Sequence, residues 1–157
     1  MQRWISPGLL VALLFCGACT HTARGDEQPS VERSFFFSSG GAYHMEGFGA
    51  WNIKLDGDGA FSILHQLRDE QKELGTHRLT ADEAEKLWSL VDAAAVDKLE
   101  ASTRAGVPDE ARYEFALGEH RVELWTGDAR ERPELVALVG AIGELIEAYT
   151  GEKPVLN

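Results

Sequence analysis

"WNIKLDGDGAFSILHQL", residues 51–67, decides how this chain folds. On both sides of its acidic glycine turn, apolar and polar residues alternate, the period-two pattern of a strand with one buried face. A three-residue loop of Gly57, Asp58 and Gly59, with Gly59 in the left-handed conformation such hairpins need, pairs Leu55 with Phe61, Ile53 with Ile63 and Trp51 with His65. In that register the paired apolar side chains share one face. A slip of one residue would turn them all to the other side, so the pattern specifies its own pairing.

Working outward, "SFFFSS" from Ser34 predicts a strand in which Phe35 and Phe37 face one way and Phe36 the other, with cover on both sides. "GGAYHMEGFG" from Gly40 is a glycine-rich connection, and "GTHRL" from Gly75 offers a further strand. In "LTADEAEKLWSLVDAA", Thr80 is an N-cap, Glu83 closes a capping box, and Leu79 with Ala84 forms a hydrophobic staple. Leu87, Leu90, Val91 and Ala94 then make the buried stripe of a helix.

The loop "EASTRAGVPDEA" leads to a second hairpin, "RYEFALGEHRVELW". A two-residue turn at Gly118 and Glu119 pairs Leu117 with His120, Phe115 with Val122 and Tyr113 with Leu124 on one apolar face. The other face carries Arg112, Glu114, Arg121, Glu123 and Trp125, where Arg112 is placed to stack on Trp125. Pro133 opens the last element, in which Leu135, Leu138, Val139, Ile142, Leu145, Ile146 and Tyr149 recur at helical spacing. The order of strands and helices predicts a two-layer α+β domain, an antiparallel sheet of five to six strands with two helices on one face.

The N-terminus has a different character. Arg3 forms a short basic region, Leu9 to Phe15 are apolar, and the small residues Gly17 and Ala18 precede Cys19. Cys16 and Cys19 follow no strand, as a redox Cys-x-x-Cys would, and Thr20 stands where haem attachment needs histidine. The seven apolar residues rise only about 10 Å as a helix against a hydrocarbon core of about 30 Å. They are too short to span it.

Gly17, Ala18 and Cys19 resemble the lipobox of bacterial lipoprotein signal peptides, although Cys16 stands where leucine is usual. The resemblance implies cleavage after Ala18 and lipid, including acyl chains such as palmitate, on Cys19. Thr20 is not the aspartate that retains some lipoproteins at the inner membrane, so the resemblance also implies an outer-membrane anchor facing the periplasm. The domain organisation expected is then a signal peptide over 1–18, lipidated Cys19 with a polar tether over 19–32, one domain over 33–150, and a tail over 151–157. The succession of glycine-rich loop, Asp-Gly hairpin, "LTADEAEKLW", Pro-Asp, hairpin and final helix is also similar to small bacterial lipoprotein domains of unknown function.

Removing residues 1–18 takes away Arg3 and no acid, so 14 basic and 26 acidic residues remain. Such a surface is repelled by phosphate backbones, which argues against nucleic acid as a partner. With Cys16 removed and Cys19 consumed by lipid, stability must come from a core, for which about 125 residues suffice.

The candidates for chemistry are weaker than the fold signals. "LDGDGAF" fails as a calcium loop, because Lys54 and His65 would fall where carboxylates belong. His44 with Glu46, or His65 with His77, are the combinations to examine for metal, yet none has a local ligand spacing, and His65 reads as a rim residue opposite Trp51. Ser38, Ser39 and His44 lie near one another without a nucleophile elbow. No catalytic residue, metal ligand or cofactor is therefore assigned. Tyr43, His44 and Phe48 in the glycine-rich loop, with Trp125, are the residues expected to bind, as an aromatic anchor patch for an envelope protein or peptide. Two alternatives stand beside that reading. One is a small periplasmic hydrolase or metal-dependent enzyme using some of Ser39, His44, Glu46 and His65; the other is a lipoprotein that binds a small ligand or metal ion.

Overall fold

The computed structural model describes residues 33–41 and 48–156. Cys19, Tyr43, His44 and Glu46 lie outside them. Six strands form one antiparallel sheet: β1 (Ser34–Ser38), β2 (Ala50–Asp56), β3 (Ala60–Leu67), β4 (Glu70–Arg78), β5 (Arg112–Leu117) and β6 (His120–Trp125). Their spatial order is β4-β3-β2-β1-β5-β6, so the phenylalanine-rich first strand is central. The described residues also form helices α1 (Ala81–Ala93), α2 (Thr126–Arg130) and α3 (Pro133–Thr150) and a 3-10 turn at Val96–Lys98. The two-layer α+β reading holds.

Both hairpin registers follow the apolar pattern. Leu55 faces Phe61, Ile53 faces Ile63, and Trp51 faces His65, the last pair stacked at 4.3 Å between ring centroids. In the second hairpin Tyr113 faces Leu124 and Phe115 faces Val122. The turns explain the registers: Gly59 has φ +85 and Gly118 has φ +59, values that an L side chain adopts only with strain. Asp58 Oδ1 accepts from the Ala60 amide at 3.1 Å and Oδ2 from Arg78 at 2.6 Å, so the acidic turn serves the hairpin and its neighbouring strand.

The core lies between the sheet and α1 with α3. Phe35, Phe37, Ile53, Leu55, Phe61 and Phe115 point from the strands, and Leu87, Val91, Leu138, Ile142 and Ile146 from the helices, all buried. Phe36 corrects one expectation. Among the described residues no second layer covers it; it is half-buried, and the Arg121 guanidinium stands 5.6 Å above its ring. The fourth strand is longer than "GTHRL" suggests, and a bulge between Ile63 and Leu64 sets Leu74 out of the ladder.

The loop before β5 covers the β6 edge. Ser102 N donates to Glu123 O at 3.1 Å and Ser102 Oγ accepts from Trp125 N at 3.0 Å, which occupies edge groups that would otherwise invite another strand.

Candidate functional site

Tyr113 follows the alternation of β5 and so faces the helices, near the start of the strand, where it borders a groove together with α2 and α3. Because α2 begins directly after Trp125, it carries Ala129 and Arg130 across this end. Leu135, Val136, Val139 and the bare backbone of Gly140 and Gly143 form the α3 wall. Past Gly151 the chain turns back along the helix; a Cβ placed on Gly143 would stand 3.4 Å from Leu156 Cδ1 and 3.7 Å from Pro154 Cγ. An ion pair between Lys72 and Glu152 fastens the start of this tail to β4. The result is a groove of about 400 Å³, largely apolar, within the size range of small-ligand sites.

One polar atom stands out at its floor. Tyr113 is 4 % exposed and packs edge-on against Phe37 and Phe115, yet its hydroxyl makes no hydrogen bond among the described residues. Burial pushes the phenol pKa up, and the positive charge of Arg130 acts in the opposite direction. Arg130 is exposed at the rim and forms no ion pair among the described residues. Further along α3 the rim carries Glu144, which lies 3.7 Å from Lys86, with Glu147 and Lys153.

A second concavity, about 540 Å³, lies on the open face of the sheet between Phe36, Asn52, Lys54, Leu64 and Thr76. Its lining hydroxyls are already spoken for, since Ser62 and Thr76 bond each other at 2.8 Å. A third, small one is bordered by Phe48, Gly49, Asp109, Ala111 and Val155.

Of the described residues singled out from the sequence, Ser39 and Phe48 line the same small cavity and His65 reaches the Phe48 carbonyl. Trp125, expected as an exposed anchor, is half-buried: Arg112 covers its ring at 4.1 Å, its indole N–H donates to Arg104 O at 3.0 Å, and Gly106 lies against its edge. Little of it is left for a partner. Phe48 is 37 % exposed, and its carbonyl lies 3.0 Å from Nε2 of His65. Ser39 is buried, with its Oγ accepting from Trp51 N at 2.9 Å. Nε2 of His77 is paired with Leu74 O and that of His120 with Leu99 O, so the described histidines each use a nitrogen on a different carbonyl. Among the described residues no group of three His, Cys, Asp or Glu is placed to hold a metal ion, and no helix is long and apolar enough to cross a membrane.

The groove has no signature in the sequence. Tyr113 was legible as core-facing, but neither α2 nor the returning tail has a signal that would place Arg130 and Leu156 beside it. No family model matches the chain, and no curated protein matches it.

Proposed function

We propose that this protein is an envelope lipoprotein, held to the membrane through Cys19, whose domain binds a ligand without transforming it, and that the groove along α3 is the seat. The observation that carries the binding reading is the conjunction of a small apolar groove with the Tyr113 hydroxyl lining it, which has no hydrogen-bond partner among the described residues. Support for the anchor is the sequence from Leu9 to Cys19. Turnover has less behind it, because Ser39 and the rings of His65, His77 and His120 are each engaged in holding the fold. A second reading, docking of an envelope protein, is favoured by Phe48 and Val155, 37 % and 40 % exposed, which border one small cavity.

Photocrosslinking in the native envelope separates these readings. A photoreactive residue at Val136 should capture a small adduct, and the protein should fractionate with membranes unless Cys19→Ser is introduced. A protein-sized adduct formed only from position 48 would favour the second reading. Recovery of the unmodified chain in the cytosol would overturn the anchor.

A further inference from the structure

We infer that the groove takes a small amphiphile with an apolar chain and an anionic head, of the medium-chain carboxylate class, its head against Tyr113 and Arg130 and its chain along α3. This deepens the binding reading above and rests on it.

The head group follows from the two polar residues at the α2 end. A phenol O–H is a donor, and Tyr113 has no acceptor among the described residues, so its hydroxyl is free to donate to a ligand oxygen in the groove. Arg130, which lines the same groove and forms no ion pair among the described residues, supplies the planar donors that suit a carboxylate. Orientation follows from the other end of the groove. About 12 Å along the helix axis from Val136, by helical rise, the rim carries Glu144 and then Glu147, set against Lys86 and Lys153, so that end holds no excess of positive charge for an anion, whereas Arg130 stands at the α2 end.

The chain follows from the walls. Leu135, Val136, Val139, Pro154 and Leu156 present hydrocarbon, and at Gly140 a Cβ would meet no atom within 4 Å, so the helix surface is open at this point. An extended peptide is a poorer fit. Its amides would lose water against α2 and α3, whose inner main-chain groups are already paired within the helices, whereas an alkyl chain asks for no hydrogen bonds.

The test uses the full chain carrying Cys19→Ser, so that no attached lipid competes, titrated with decanoate, decanol and decyltrimethylammonium while the thermal midpoint is followed. Decanoate should bind and raise the midpoint most. Gly140→Leu, which fills the groove, should abolish that shift without lowering the midpoint of the unliganded chain. Tyr113→Phe and Arg130→Gln should each weaken decanoate about tenfold, and Arg130→Gln should leave decanol unchanged, because an alcohol accepts from the phenol but carries no charge for the guanidinium. Equal binding of decyltrimethylammonium or decanol, still blocked by Gly140→Leu, would overturn the anionic assignment while sparing the groove. If none of the three probes shows binding that Gly140→Leu blocks, both fall.

Discussion

The Tyr149 hydroxyl donates to Glu83 Oε2 at 2.8 Å, tying the last turn of α3 to the first turn of α1. The same carboxylate oxygen accepts from the Thr80 amide and the Thr80 hydroxyl, each at 2.8 Å. A local capping box has thus become the bolt between two helices. The Thr80 amide, then the Thr80 hydroxyl and Tyr149, hold the Glu83 carboxyl below its ordinary range, and the Tyr149 phenol is raised chiefly by Glu83.

This bolt predicts an acid-sensitive contribution to stability. Glu83 is depressed in the folded state, so its stabilisation is fully present above the unfolded value of about 4.5 and is lost as pH falls through the folded one. Thr80→Ala and Tyr149→Phe should each cost about 1 kcal/mol at neutral pH. With Glu83→Gln they should combine less than additively, because all three share one oxygen. Urea midpoints between pH 3 and 7 measure this, and the gap between Glu83→Gln and the parent should narrow on acidification.

A second cluster holds the loop that covers β6. Arg104 grips both oxygens of Glu110 at 2.6 and 2.8 Å and also pairs with Asp128, which accepts from Ser102. The Arg104 hydrogen bonds draw Glu110 down to about 2 from 4.5, and Ser102 followed by Arg104 lowers Asp128. The clasp should therefore persist when pH falls past 4 and open only as it approaches 2. Trp125 reports on it, since its indole N–H bonds the Arg104 carbonyl. In Glu110→Gln, Trp125 emission should shift red at neutral pH, taken as the difference from the same variant carrying Trp125→Phe. An unchanged spectrum would mean that the loop is held by other contacts.

The sheet was readable because its buried half writes itself into the chain. Ile53, Leu55, Phe61 and Ile63 alternate with polar neighbours, and only one register brings them together. The first half of β4 leaves no such pattern, for the opposite reason. Its first residues, Glu70 to Glu73, sit on an exposed edge with no buried face to impose alternation, and their pairing with β3 arises from hairpin proximity. α2 has five residues, too few for a 3.6-residue period to show. The groove depends on these unreadable parts, since it joins Tyr113 to Arg130 and to a tail some forty residues on.

Gly106 offers a sharper probe of the covering loop. A Cβ there would stand 2.5 Å from the Trp125 ring, a separation that forces either the loop or the indole to move. Gly106→Ala should destabilise by about 1–3 kcal/mol, as small-to-large changes in packed sites do. Calorimetry on Gly106→Ala alone and combined with Trp125→Ala checks the cause. Removing the ring should cancel most of the alanine's cost, and a cost that survives would place the strain in the backbone.

The two glycines of α3 should respond differently to the same substitution. Both lie within the helix, where glycine is about 1 kcal/mol less favourable than alanine. At Gly140 the added methyl meets nothing, so Gly140→Ala should recover about 0.5–1 kcal/mol and leave the groove open. At Gly143 it would come within 3.4 Å of Leu156 Cδ1, so the helical gain is set against displacement of the returning tail. Thermal midpoints should rise for Gly140→Ala and rise less, or fall, for Gly143→Ala. Adding Leu156→Ala, which removes the opposing side chain, should restore the full alanine benefit at position 143. If both single variants gain equally, the tail does not lie against α3 in solution, and the wall it lends to the groove is lost with it.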